Sequence, residues 1–383
     1  MTELNVGGDF DLALDRVWLN TSHQGALPQV AAEAARRAVQ WKLRPHEMTT
    51  ERFGEVPWQL KQSIGRLIGV PGEDVSLTNG ASYGLHLLAN GLPLKSGDEV
   101  LLMEGDFPSN LLPWRAAEQR GVKVKLLRPR GAVLSPGEIE AALSPRTRVV
   151  CLTWVHSFSG HVHDINAIGS LCRRNGTWFA VNASQALGVR AMQVIDHAVD
   201  AIFSVGWKYL CGPYATGFAW FRESLRKSLE YNQAYWLAAQ NEASLRDPDP
   251  QFTVPGPAEA RRYDVFGTAN FFNFLPWTAS IDYLLGLGIQ PIQEHVGGLV
   301  RRLAAGLDRE QFELISGEDA GSQSSMVLFR HHDSRRQELI HQALAGEGID
   351  VALRMGRLRI SPHLYNTSDD IQRTLAVLNR APS

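Results

Sequence analysis

Cysteine is scarce in this sequence: the 383 residues hold three, Cys151, Cys172 and Cys211. The number is odd and the spacing wide. Neither a disulfide framework nor a thiolate metal site is expected, and a reducing cytoplasm is the expected compartment. No apolar run approaches the ~20 residues that a membrane span needs. The opening residues, Met1-Thr2-Glu3-Leu4-Asn5, have neither the basic start nor the apolar stretch of a secretory leader. Charge of one sign is also lacking, since 38 basic residues face 40 acidic ones for a formal net charge of −2. Such a surface sets up no broad field, so neither nucleic acid nor a membrane is expected as a partner. No Gly-x-Gly-x-x-Gly follows the first strand, which sets aside a nicotinamide-binding Rossmann enzyme. The pair His331-His332 has no third ligand nearby, so no metal is expected.

What is present is an ordinary globular composition, 44% apolar and 20% charged, in a chain long enough for a large core. Helical patterns run from Pro28 to about Leu43 and from Trp58 to Ile68. Short β-rich runs then alternate with helical stretches. The runs are 75–78, 99–103, 122–126, 148–153, 178–181 and 201–204; the helices between them are 81–89, 110–120, 136–143 and 165–174. Alternation of this kind predicts an α/β fold with a mostly parallel, doubly wound sheet covered on both faces. Gly217–Phe221 reads as a further strand, antiparallel to the rest. The Pro- and Asp-rich stretch from Leu245 to Pro257 reads as a loop. From about Gln290 the pattern changes to helices and strands of a small α+β unit. The expected division is 1–25 as an N-terminal segment packed with the small domain, 26–285 as the large domain, and 286–383 as the small C-terminal domain.

Ligands of doubly wound sheets gather at the carboxyl ends of the strands, and four such ends carry informative residues. Thr78-Asn79-Gly80-Ala81-Ser82 joins a strand to a helix through small residues. Its free N–H groups suit a phosphate, with Ser82 adding a hydroxyl; a plain Ser-capped turn is the alternative. In Asp106-Phe107-Pro108-Ser109-Asn110 the aromatic ring either stacks on a planar heterocycle or belongs to the core. In Asn182-Ala183-Ser184-Gln185 the two amides suit a ring nitrogen and a ring hydroxyl, although Asn also favours turns. The fourth is Ser204-Val205-Gly206-Trp207-Lys208-Tyr209. A lysine between aromatic residues at a strand end is poorly placed for a surface charge. Desolvation lowers its pKa and makes the amine fit for imine formation; snorkelling to solvent is the alternative.

Order and spacing weigh these readings together. The series Asn182, Gln185, Ser204, Lys208, followed by Gly212-Pro213 and a Gly-containing strand, resembles that of the class V aminotransferase superfamily. That group includes isopenicillin-N-epimerase-like proteins, cysteine desulfurases, kynureninases and related lyases. A second match is Arg357-Leu358-Arg359-Ile360-Ser361-Pro362-His363-Leu364-Tyr365-Asn366-Thr367, similar to the family's substrate-carboxylate motif. The resemblance runs from Leu19-Asn20-Thr21-Ser22-His23-Gln24-Gly25 to the last helix. It implies a fold-type-I enzyme dependent on pyridoxal 5′-phosphate, with a seven-stranded-type sheet. Lys208 would carry the cofactor as a Schiff base and move protons at the substrate Cα. Ala81, Ser82 and Ser204 would bind the phosphate, with Trp207 where many relatives place a histidine. Phe107 would stack on the ring and Gln185 would bond its phenolic oxygen. Arg359 would fork onto the substrate carboxylate. Phe266-Gly267-Thr268-Ala269-Asn270 resembles the segment through which a neighbouring subunit completes the phosphate site, which implies a homodimer with shared active sites. His156 either touches the substrate or cofactor or is a hydrogen-bonded structural histidine; His23 and Arg262 are candidates for lining the substrate pocket, and Trp154 and Trp236 either narrow it or pack in the core.

Most relatives place Asp where this chain has Asn182. A carboxylate keeps the pyridine nitrogen protonated, whereas a neutral amide does not support that positive charge equally. Transamination needs a long-lived carbanion; elimination, epimerisation and decarboxylative or oxidative chemistry tolerate a weaker electron sink. The expected activity is therefore lyase-type chemistry at Cα of an amino acid or conjugate, such as C–S or other β-elimination. The alternatives are an ordinary class V aminotransferase and a catalytically decayed binding protein. Desulfurases of this group use a mobile cysteine in the small domain, and no cysteine here follows Cys211.

Overall fold

The computed structural model describes residues 4, 6–230, 234–239, 245–249, 251, 253–267, 269–319 and 324–380. Strand β1 (Val17–Trp18) opens the chain, followed by helices α1 (Gln29–Leu43) and α2 (Thr50–Ile68). The large sheet is then laid down: β2 (Val75–Thr78), α3 (Ala81–Gly91), β3 (Glu99–Met103), α4 (Pro108–Ala117), β4 (Lys123–Leu127), α5 (Pro136–Ala142), β5 (Thr147–Thr153), α6 (Ile165–Arg174), β6 (Trp178–Asn182), β7 (Ala201–Val205) and β8 (Gly217–Phe221). Short helices α7 (Glu223–Ser228) and α8 (Trp236–Ala239) lead to two long ones, α9 (Phe271–Leu287) and α10 (Ile289–Gly306). The chain ends with β9 (Phe312–Leu314), β10 (Val327–His331), α11 (Gln337–Gly346), β11 (Ile349–Asp350), β12 (Ala352–Arg354), β13 (Arg357–Ile360) and α12 (Ser368–Leu378).

The central strands are buried along their whole length, which is why they read as continuous apolar runs rather than alternating ones. They form a seven-stranded sheet of order β2-β8-β7-β6-β5-β3-β4. β3 to β7 run parallel, and β8 is antiparallel to both β7 and β2. The strand order reverses beside β3, which has β4 on one side and β5 on the other. Such a reversal opens a crevice at the strand carboxyl ends, because the following connections leave in opposite directions.

A second, antiparallel sheet has order β12-β13-β10-β9. The N-terminal segment forms a two-stranded parallel sheet with β11, Val17 pairing with Ile349, and Asn20 bridges Ser361 just past β13. Helix α9 is absent from the sequence reading. It packs on α1 and α2 and is apolar nearly all round, so it shows no polar face to set a helical period. The first turns of α2, before Trp58, are also new, and Pro57 lies inside the helix. Between 245 and 257 the described residues contain neither α-helix nor strand. No helix among the described residues is long and apolar enough to cross a membrane.

Candidate active site

Lys208 lies three residues beyond β7, on the loop that turns into β8. Its side chain is half-buried, with Nζ 5.6 Å from the centroid of the Phe107 ring. Burial pushes the amine down to about 7, and the Arg359 cation adds to the shift. The Lys208 loop is pinned from three sides. Gly25 N–H donates to Trp207 O (2.8 Å), and a side chain at Gly25 would place its Cβ 2.0 Å from Lys208 O. A Cβ at Gly188, whose φ is +99°, would lie 2.1 Å from Tyr209 O. His363, fully buried and driven to about 3 by that burial, donates from Nε2 to the same carbonyl (2.9 Å). These two glycines and His363 were not assigned from sequence. Only their close approach to backbone identifies them.

The turn before α3 is open. Gly80 is its N-cap, at φ +157°, and no side chain caps the first-turn N–H groups of Ala81 and Ser82. A Cβ at Gly80 would meet the Trp207 ring at 3.2 Å, so Trp207 lies across this turn, and Tyr214 packs against Trp207 at 4.6 Å between centroids. Ser204 is buried at the end of β7, its hydroxyl on Val205 O.

Phe107 is the N-cap of α4, 39% exposed, and stacks on Phe158 at 6.0 Å and 23°. Beneath it lies a hydrogen-bonded chain that begins at the reversal of strand order. Asp106, after β3, is fully buried. Its carboxylate accepts from Phe107 N–H (2.7 Å), Thr153 N–H (3.2 Å), Thr153 Oγ1 (3.0 Å) and Asn110 Nδ2 (3.1 Å). Burial raises its pKa, opposed by His156 and by the Phe107 and Thr153 donors. Asn110 Oδ1 in turn accepts from Asn182 Nδ2 (3.1 Å), and Asn182 Oδ1 accepts from Ser184 N–H (3.1 Å) and Ser184 Oγ (2.6 Å). A backbone N–H can only donate and a carboxylate only accept, so both ends of the chain fix the amides between them. Asn182 therefore has its oxygen filled by two donors and a single N–H left to offer.

Gln185 donates from Nε2 to Ser22 O (3.1 Å) and Ser157 Oγ (3.5 Å), while its buried amide oxygen has no partner. Arg359 is 4% exposed, donates from Nη1 to Ser157 O (3.4 Å), and leaves Nε without a partner. Burial lowers its pKa to about 10. His23 is exposed in this neighbourhood: burial of part of its ring, then Arg354, Arg359 and Lys208, lower its pKa. His156 is hydrogen-bonded within the chain, in keeping with the structural alternative. Its Nε2 meets Gly105 O (3.1 Å) and its Nδ1 meets Ser159 Oγ (2.8 Å), so both nitrogens are engaged within the chain. Arg262 is buried against Tyr263, its guanidinium 5.0 Å from that ring, in a turn packed on β2. The Trp154 ring lies against His197 and Arg190. Trp236, on α8, packs edge-on against Tyr235. Gly267 sits at φ +74° with open space around it, and Thr268 lies outside the described residues. Among the described residues no cluster of His, Cys, Asp or Glu could hold a metal ion.

An uncapped helix start, a desolvated lysine beside an aromatic face, a free buried amide oxygen and an unpaired buried arginine suit one ligand set: phosphate, aldehyde-bearing ring, ring substituent and carboxylate. The fold and this site define a fold-type-I pyridoxal phosphate enzyme. More narrowly, the chain belongs to the aminotransferase class-V family, whose sequence model matches residues 28–374. It is 27% identical over 343 residues to a probable cysteine desulfurase of Methanothermobacter thermautotrophicus, covering 82% of this chain and 80% of that one. It is 25% identical over 378 residues to the isopenicillin N epimerase of Streptomyces clavuligerus, covering 94% of each. Among solved structures, a complex of the cystine C-S lyase C-DES with its product cysteine persulfide superimposes with a TM-score of 0.86 at 19% identity, covering 95% of this chain and 97% of that one.

Proposed function

We propose that this enzyme cleaves amino acids or amino-acid conjugates by β-elimination at Cα and Cβ, with a C–S bond as the favoured target. For a cysteine conjugate and water the products are a thiol, pyruvate and ammonium. Pyridoxal phosphate, once bound, supplies an aldehyde that captures the substrate amine and a ring that spreads charge from Cα. The α3 turn would hold its phosphate, Phe107 its ring face and Gln185 its ring substituent. Lys208, lowered to about 7 and so in part uncharged at neutral pH, would hold the cofactor and then take the proton from Cα. Arg359 would orient the substrate by its carboxylate.

The observation that carries the choice of reaction is the polarity of Asn182. With its oxygen occupied and only N–H to offer, it suits a ring nitrogen without a proton. The electron pull at Cα is then weak, which favours prompt loss of a leaving group over storage of the amino group. Persulfide transfer through a cysteine fits less well: all three thiols are buried and pushed up by that burial, Cys172 to about 12. The test is product analysis with S-alkyl cysteines. Thiol and keto acid should appear in equal amounts without any added keto acid. Transfer of the amino group onto an added keto acid would make the enzyme an aminotransferase instead.

The reading includes a homodimer. Tyr214, packed on the Trp207 ring that lies across the α3 turn, is 68% exposed, and Phe266, packed on Tyr235, is 61% exposed. Exposed aromatics flanking a ligand site suit a partner subunit that closes it. Phe266→Glu should lower both the dimer fraction in sedimentation and the affinity for the cofactor; a change in neither counts against the shared site.

A further inference from the structure

Strands β12 and β13 form a tight hairpin whose tip, Met355 and Gly356, has φ of 50° and 69°. Its register sets Arg354 directly opposite Arg357 and Ala352 opposite Arg359. Residues opposite one another on a ladder share a face, and so do residues two apart on one strand. Arg354, Arg357 and Arg359 therefore stand on one face. Like charges placed this way disfavour the hairpin unless something neutralises them. Among the described residues none of the three has a carboxylate within ion-pair distance. Each guanidinium instead donates to a backbone carbonyl: Arg359 to Ser157, Arg357 to Phe158 and Arg354 to Leu353. Exposure rises along the series, from buried Arg359 through half-buried Arg357 to exposed Arg354. The row also starts inside the site, because Ser157 meets Gln185 and Phe158 stacks on Phe107. His23 feels both Arg359 and Arg354.

We propose that Arg354 and Arg357 form a second anion subsite, and that the substrate is an amino-acid conjugate with a second carboxylate beyond the bond that breaks. The inference rests on the reading of Arg359 as the anchor of the α-carboxylate. Two residues along a strand advance by roughly 7 Å, so the second anion belongs about that far from the first. Cysteine carrying an S-carboxyethyl group has this reach. Its S-carbamoylethyl isostere has the same shape without the charge.

The test is a spectral titration of the cofactor-loaded enzyme with each conjugate, in the parent and in Arg354→Gln and Arg357→Gln. The S-carboxyethyl conjugate should bind about tenfold tighter than its isostere, in keeping with a charge-assisted contact. Higher salt should shrink that preference, and each variant should erase it while leaving the isostere's affinity unchanged. Equal affinities in the parent, or equal losses for both conjugates in the variants, would overturn the subsite while leaving the lyase reading intact. A cofactor firmly attached to Lys208 but blind to both conjugates would sink the conjugate reading itself, and the subsite with it.

Discussion

Asn182, at the end of β6 in the large sheet, and Arg359, in β13 of the small one, are each 4% exposed. Their surroundings are nonetheless opposite. Asn182 sits in a chain of amides linked donor to acceptor, from the Asp106 carboxylate to the Ser184 N–H, with one Asn182 N–H left over. Arg359 is a buried cation with one carbonyl contact and a bare Nε. A wall of linked polar groups orients what it touches and contributes to folding, since its links are donor–acceptor pairs. An unsaturated one costs folding free energy until a ligand completes it. On the proposed reading, the site joins a wall that would set the electronic state of the ring to a wall that would select the substrate.

The largest break in this contrast should come from Asp106→Ala. It strips the acceptor from buried donors at Phe107, Asn110 and Thr153, so the loss of stability should be roughly 3 kcal/mol or more in denaturant unfolding. Arg359→Met should do the reverse. Removing an unpaired buried cation should leave stability within about 1 kcal/mol or raise it, while carboxylate substrates bind about 1.5–3 kcal/mol more weakly. A stability loss at Arg359 matching that at Asp106 would erase the distinction between the walls.

The lysine between the walls sharpens it by pH. With its amine near 7, the rate at which the cofactor-free protein captures pyridoxal phosphate should climb tenfold per pH unit below that value and level off above it. A lysine at its ordinary value of 10.5 would still be climbing at pH 9. The sign for stability follows. The folded state binds the proton less tightly than the unfolded chain, so stability rises as pH climbs from about 7 toward 10.5 and is lowest below 7.

The two walls were not equally legible in the sequence. The strands of the large sheet stood out because burial on both faces makes them continuous apolar runs, and Lys208, Asn182 and Gln185 followed at strand ends. Helix α9 escaped because it has no polar face. Asp106 and Asn110 lie within a segment that drew notice only for Phe107. Their role depends on β3 lying beside β5, a pairing of strands 48 positions apart at Glu99 and Thr147. Gly25 and Gly188 matter through backbone approaches from distant segments, which no local pattern encodes. The arginine row needs the hairpin register, since Arg354 and Arg357 share a face only once their strands pair.

The finest test concerns Asn182 itself. Asn182→Asp alone should not give a clean aspartate site. Its second oxygen would point at Asn110 Oδ1, and Asn110 cannot turn its amide without aiming that oxygen at the Asp106 carboxylate. The new carboxyl should therefore sit above its ordinary pKa, and the single variant should lose about 1 kcal/mol of stability. Moving the charge rather than adding it removes the conflict at Asn110, at the cost of setting the new amide NH2 at position 106 against the Thr153 N–H. In Asp106→Asn with Asn182→Asp, Asn110 turns over and donates to position 182, and the ring nitrogen gains an acceptor. The double variant should be more stable than the sum of its singles by about 1 kcal/mol, a coupling typical of neighbours in one network. It should also transfer amino groups to a keto acid where the parent eliminates. The nitrogen-15 shift of labelled cofactor reads the cause directly: unprotonated in the parent, protonated in the double variant. A protonated ring in the parent would show that the amide chain does not govern the reaction.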